Sequence, residues 1–277
     1  MHPSGTTEES ISAQFVAARL AGRGLAAYPG QQPVSLAQAY KIQDASIARI
    51  PDTVAGWKVG RIFPPMSLEF GADRLAGPIF SRSIQLADSQ TDGQPCVGRT
   101  FTDGFGAAEA EFLFRVAHSP NAGQLQFSLD EAAAHIDRVY MGIEIASSPL
   151  PSINDLGPAV TVSDFGNNNG LIIGPEVASW RSSGFADWPV KLLVDNDCAG
   201  EGAAAAFPDG PIGSVRFLLE LLAARGIALP AGSWISTGAI TGVHPVRAGQ
   251  TVEALFAGKF SVSCVIGAVV GQPRGNI

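Results

Sequence analysis

Residues 107–114 read AAEAEFLF, and a period of two governs how they are read. In an extended strand Glu109 and Glu111 share one face, while Ala110, Phe112 and Phe114 share the other. The Phe side packs into a core, which points both acids into whatever lies opposite. Two carboxylates spaced about 7 Å apart along one strand face repel each other unless protons or a cation compensate. A bound divalent ion is one answer; a solvent-facing strand with two hydrated acids is the other.

A third acid shifts that balance. In VYMGIEIAS (139–147), Met141, Ile143 and Ile145 alternate with Gly142, Glu144 and Ala146, so Glu144 stands alone among small residues on its face. Three carboxylates from two neighbouring strands make an oxygen-rich site of the kind that hard cations such as Mg2+ or Mn2+ prefer. No His or Cys lies near in sequence to form a softer one. Lys58, in GWKVG (56–60), sits between Trp57 and Val59 in a glycine-bounded strand. If desolvated it can act as an acid or base or pair with an anionic ligand; otherwise it reaches its ammonium out to water.

The 277 residues, 46% apolar and 16% charged, allow a sizeable core in one large domain or slightly more. A formal charge of −7 without a basic run disfavours nucleic acid. The N-terminal segment lacks a basic start followed by an unbroken apolar stretch, and there is no 18-residue apolar span, so neither export nor membrane insertion is expected. Cys96, Cys198 and Cys264 lack CxxC spacing, which argues against a disulfide framework and fits a reducing cytoplasm.

Helical spacing of apolar residues predicts one helix over 6–26 and a second from Ser35. Short apolar runs bounded by Gly, Pro, Asn or Asp then predict strands at VAGWKVG, GPIF, AEAEFLFRV, VYMGIEIAS, GLIIGP, VKLLVDND, EGAAAAF, WISTGAI, TVEALFAG and FSVSCVIGAVV. One helix, over 212–225, interrupts them and ends at Gly226. The expected organisation is a helical N-terminal portion, residues 1–75, on a β-rich portion, residues 76–277.

Taken in order, AYKIQ (39–43), GWKVG (56–60), AEAEF (108–112), GIEIAS (142–147), VSDFGNNNGLIIG (162–174) and TGAITGVHPVRAGQTV (237–252) resemble the fumarylacetoacetate hydrolase superfamily. More narrowly they are similar to its 2-keto-4-pentenoate hydratase and 4-oxalocrotonate decarboxylase branch. The resemblance implies an α+β fold with a mixed β-roll core, and Mg2+ or Mn2+ held by Glu109, Glu111 and Glu144. It implies that Lys58 reaches the substrate, that Asp164 of the V-x-D motif serves catalysis, and that the turn Thr237, Gly238 and Ala239 lines the pocket. A small-molecule 2-oxo acid and a homo-oligomer are expected. The implied activity is that of a lyase, hydrating a 2-hydroxypenta-2,4-dienoate-like acid or decarboxylating an unsaturated 2-oxo acid.

The chain departs from that pattern around the site. Arg61, Ile62 and Phe63 follow Gly60 where polar residues are usual; Ser147, Ser148 and Pro149 replace Asp-Ser-Arg; Phe165 stands where Asn is usual, and Asn167 and Asn168 where Ser is usual. Arg61 is a candidate anchor for a second carboxylate, or a solvated surface arginine. His244 is the one histidine near a pocket motif, and its setting before Pro245 favours a structural role. The histidine-glutamate lid pair of the superfamily's C–C hydrolases has no match here, so hydrolysis or tautomerisation of acylpyruvate-like 1,3-dioxo acids is the alternative chemistry. A non-catalytic protein that binds metal and oxo acid is a further alternative. A glycosidase pair is disfavoured, because Glu109 and Glu111 share one strand face instead of flanking a bond.

Overall fold

The computed structural model describes residues 7–87 and 94–271. In chain order its elements are α1 (Thr7–Ala21), α2 (Leu36–Ile47), β1 (Val54–Arg61), α3 (Met66–Phe70), β2 (Arg74–Phe80), β3 (Ile84–Leu86) and β4 (Cys96–Thr100). There follow β5 (Phe105–Val116), α4 (Leu129–Ala134), β6 (Ile136–Ser148), α5 (Pro158–Ser163), β7 (Asn168–Glu176), β8 (Val190–Val194) and β9 (Asp197–Gly202). The chain closes with α6 (Gly210–Ala224), β10 (Trp234–Ser236), β11 (His244–Pro245), β12 (Thr251–Phe256) and β13 (Phe260–Ala268).

Two sheets carry the architecture. The larger runs β2-β1-β10-β5-β6-β7-β3, with β11 added to β5; the smaller runs β4-β13-β12-β8-β9. Both are mixed, since β1–β10, β3–β7 and β4–β13 are parallel among antiparallel neighbours. The α+β class expected from the sequence is therefore the class observed.

The main core lies between the sheets. Ala110, Phe112 and Phe114 of β5 point into it, as period two requires. Phe112 meets Phe185 edge to face at 4.8 Å and Phe256 at 5.3 Å, geometries that aromatic quadrupoles favour. With that face filled, the opposite face of β5 is fixed in direction.

Local chemistry explains the starts of two helices. Ser35 accepts from the Gln38 backbone N–H and starts α2. Ser128 and Glu131 close a capping box on α4. The short α5 was not foreseen, because its sequence PAVTVS is β-branched and all six residues are buried; tertiary burial overrides strand propensity there.

Two strand expectations need correction. EGAAAAF is extended only to Gly202 and then enters a 3-10 turn at Ala204–Ala206, since an alanine run supplies no β-branched side chain to favour the pleat. WISTGAI is strand only through Ser236. Beyond it Gly238 takes φ +114°, a left-handed conformation open to glycine, and the chain turns toward β5. The first helix ends at Ala21, short of the expected 26. No helix among the described residues is long and apolar enough to cross a membrane.

Candidate functional site

The three acids meet where β5 and β6 pair. Glu109 is in register with Glu144, and Glu111 with Gly142, so all three side chains leave the same face of the sheet. Relative exposures of 3%, 0% and 0% for Glu109, Glu111 and Glu144 show that this face is buried. Carboxylate oxygens of the three lie within 4.8 Å of one another.

Each flanking acid is held by one oxygen. Glu111 Oε2 accepts from Ser236 Oγ at 2.5 Å and from the Gly238 N–H at 2.8 Å. Glu144 Oε1 accepts from Asn168 Nδ2 at 3.0 Å and lies 3.4 Å from Lys58 Nζ. The other oxygens, Glu111 Oε1 and Glu144 Oε2, are buried without a hydrogen-bond partner.

Lys58 enters from β1, where it pairs with Ser236 of β10 and Gly77 of β2. It is 4% exposed, and its ammonium also donates to Asn167 Oδ1 at 3.4 Å. Burial favours the neutral amine, but the charges of Glu144, Glu109 and Glu111 outweigh it and hold Lys58 above its ordinary range. Burial chiefly, and then Glu144, push Glu109 up to about 7 against the pull of Lys58. Glu111 is driven well above its usual value by burial, Glu144 and Glu109.

This is an arrangement a hard divalent ion fits. One ammonium faces three buried carboxyls, and two orphaned oxygens carry a desolvation cost of about 1–3 kcal/mol each, more if charged. A cation between them would satisfy both and offset the repulsion, and the all-oxygen donor set matches Mg2+ or Mn2+.

A cavity of about 740 Å3 opens beside this cluster, with Lys58, Glu109 and Asn167 on its wall. Arg61 lines it from the rim and lies over the Phe63 ring at 4.6 Å. Of the turn after β10, Ala239 lines the cavity and Gly238 holds Glu111. Thr237 is instead buried, donating from Oγ1 to the Phe112 carbonyl at 2.8 Å. His244 Nε2 lies 2.8 Å from the Thr241 carbonyl within its own turn.

Asp164 stands apart from the cavity wall. Arg19 of α1 grips it at both oxygens, Nε to Oδ1 at 2.6 Å and Nη2 to Oδ2 at 2.9 Å. Ser148 Oγ donates to Oδ2 at 2.6 Å. Arg19 also reaches the Asn168 carbonyl and Asn169 Oδ1, and its guanidinium lies 4.9 Å from the Phe165 ring centre.

Sequence reasoning passed over Arg19, Asn167, Asn168 and Ser236 as site residues. The run of three asparagines at 167–169 was a visible signal, since side-chain amides inside an apolar stretch need partners. Arg19 carried none, because its partner Asp164 is 145 residues away in sequence.

No family model matches the chain. It is 34% identical over 158 residues to the 4-oxalocrotonate decarboxylase of Pseudomonas sp. (strain CF600), covering 56% of this chain and 57% of that protein. To the 4-oxalocrotonate decarboxylase of Pseudomonas putida it is 29% identical over 136 residues, covering 49% and 51%. The matches thus span little more than half the length of these curated relatives.

Among solved structures, the 4-oxalocrotonate decarboxylase of Pseudomonas putida G7 complexed with calcium and acetate has a TM-score of 0.76 at 22% identity, covering 95% of this chain and 97% of that one. Its complex with magnesium and adipate gives 0.75 at 22% identity, covering 94% and 97%. The fumarylpyruvate hydrolase of Pseudomonas aeruginosa, in complex with Mn2+ and pyruvate, gives 0.53 at 17% identity, covering 76% and 88%. Fold and sequence together bear out the resemblance to the fumarylacetoacetate hydrolase superfamily and, within it, to its 2-keto-4-pentenoate hydratase and 4-oxalocrotonate decarboxylase branch.

Proposed function

We propose that the protein is a Mg2+- or Mn2+-dependent lyase that decarboxylates or hydrates an unsaturated 2-oxo acid. The observation that carries this reading is the pair of orphaned buried oxygens, Glu111 Oε1 and Glu144 Oε2, set beside an ammonium-lined cavity. The relatives support it, being decarboxylases, and solved neighbours hold magnesium with adipate and Mn2+ with pyruvate.

Glu109, Glu111 and Glu144 would hold the ion. When bound, it supplies Lewis acidity toward the carboxylate and 2-oxo oxygens of a chelating acid, which lowers the cost of negative charge developing there.

The remaining chemistry belongs to this chain. An ammonium has three donors; Lys58 directs two toward Glu144 Oε1 and Asn167 Oδ1, which leaves a third for a substrate in the cavity. Set beside Glu144 and Asn167 on the cavity wall, the Lys58 ammonium is placed to offset negative charge on a bound acid and to exchange a proton with it. Ser236 and Gly238 fix Glu111 through one oxygen and leave the other free to ligate. Asn168 does the same for Glu144. Ile62, Leu75 and Phe207 line the cavity and keep bulk water from the ammonium, which strengthens its pull on an anionic substrate. Asp164 and Thr237 act as positioning groups: the first through the segment bearing Asn167 and Asn168, the second by tying the turn to β5. Arg61 lines the cavity with its guanidinium over the Phe63 ring.

Hydrolysis of a C–C bond has weaker support, because among the described residues no histidine lines the cavity to activate water. The test is to incubate purified protein and Mg2+ with 4-oxalocrotonate, 2-hydroxypenta-2,4-dienoate and an acylpyruvate, following CO2 release and products. The reading expects CO2 loss or hydration that EDTA abolishes. Cleavage of the acylpyruvate alone, or no turnover of any of them with Mg2+ or Mn2+, overturns it.

A further inference from the structure

The cavity is larger and more apolar than a short unsaturated acid requires. Its volume of about 740 Å3 falls in the upper half of the ~300–1,000 Å3 range that accommodates drug-sized ligands. The ionic groups Lys58 and Glu109 belong to the carboxylate cluster, whereas Ile62, Phe63, Met66, Phe207, Ile240 and Val243 make up much of the remaining wall. Phe63 and Val243 are 59% and 46% exposed, and exposed apolar side chains gathered at the mouth of a cavity mark a surface that a ligand covers.

A second carboxylate finds little there. Among the described residues Arg61 is the one further cation on the wall, and it already lies against the Phe63 ring. Asp155 lines the same cavity and repels an anion as Arg61 attracts it. Burying an additional charge among Ile62, Met66 and Phe207 would cost more than pairing with the half-buried Arg61, already set on Phe63 and near Asp155, returns. An apolar group at the same place gains by leaving water.

We infer that the natural substrate carries a bulky apolar substituent, of about phenyl size, distal to its 2-oxo-acid head, and that Phe63, Phe207, Ile240 and Val243 select for it. The inference rests on the oxo-acid reading above and deepens it by naming the distal half of the molecule. Phe207 and Ile240 form the fixed side of the slot, 7% and 8% exposed and part of the main core. Phe63 and Val243 form the accessible side, by which a ligand enters.

The experiment compares three probes on the Mg2+-loaded protein by calorimetry: 2-oxobutanoate, 2-oxoadipate and 2-oxo-4-phenylbutanoate. All three share the chelating head and differ only at the far end. The phenyl acid is expected to bind roughly 10- to 100-fold more tightly than the other two. Val243→Asp, on the exposed rim where folding is not at stake, should reduce the ratio of phenyl-acid to 2-oxobutanoate affinity at least several-fold. Phe207→Ala should reduce the same ratio from the buried side. Equal affinities, tightest binding of 2-oxoadipate, or an unchanged ratio in Val243→Asp would overturn the inference while Mg2+-dependent binding of the head left the oxo-acid reading standing. Failure of all three acids to bind with Mg2+ would overturn both.

Discussion

Arg19 and Asp164 form a two-pronged ion pair, 2.6 and 2.9 Å long, that ties the first helix to the segment leading into Asn167 and Asn168. Those two amides contact Lys58 and Glu144, so a helix with no residue in the carboxylate cluster bears on its geometry. The pair is buried, with side-chain exposures of 8% and 0%. Removing one partner strands a charge away from water, which typically costs about 3–5 kcal/mol, whereas replacing both by apolar groups costs far less. Arg19→Met should therefore lower urea stability by about that amount, and Arg19→Met/Asp164→Leu should recover a large part of it. A single variant as stable as the wild type would show that the pair does not anchor this segment.

A close backbone approach makes a second, sharper demand. Gly77 pairs with Lys58 across β1 and β2, and a Cβ built there would lie 1.9 Å from the Phe165 carbonyl oxygen. Backbone, unlike the end of a flexible side chain, cannot step aside cheaply. Gly77→Ala should push the 165–167 turn away from the sheet, lower stability by about 1–3 kcal/mol as overpacking does, and weaken oxo-acid binding by displacing Asn167 from Lys58. Melting temperature and calorimetric affinity would both fall; unchanged values in the two would refute the contact.

Metal removal should expose a pH dependence with a defined sign. In the ion-free protein, burial and neighbouring charge raise Glu109 from its ordinary 4.5 to about 7, and Glu111 shifts in the same direction. The folded chain then binds protons that the unfolded chain has released. Stability from this source is fully present below pH 4.5 and is lost as pH rises through about 7. A divalent ion takes the place of those protons, so the gain in melting temperature from Mg2+ over EDTA should grow across the same window. Glu109→Gln should flatten that growth. A gain independent of pH, or one that shrinks as pH rises, would contradict the charge balance described for the cluster.

How much of this could be read from the sequence depends on the range of the interaction. The faces of β5 were legible because a period of two is local: once Phe112 and Phe114 are inward, Glu109 and Glu111 must share the other side. Glu144 was legible for the same reason, isolated between Gly142 and Ala146. The helix α4 went unpredicted although its capping box is written locally as S-x-x-E at Ser128 and Glu131. By contrast, Arg19 meets Asp164 only when the helix docks, and just past the end of β10 the Gly238 N–H goes to the Glu111 carboxylate, 127 residues away in sequence. Neither leaves a mark on nearby residues. The six buried residues of α5 show the limit from another side, since a β-branched helix is stable only because its surroundings cover it.

The central claim is that Glu109, Glu111 and Glu144 hold one divalent cation per chain. Calorimetric titration of chelator-stripped protein with Mn2+, in wild type and in the near-isosteric Glu111→Gln and Glu144→Gln variants, tests it most directly. The account predicts one site per chain in the wild type and a loss of at least ~100-fold in affinity in either variant, since loss of a ligand should exceed the 10–100-fold cost of losing an outer-shell partner, with circular dichroism unchanged. Absence of Mn2+ binding in the wild type, or variants that bind as tightly, would contradict it.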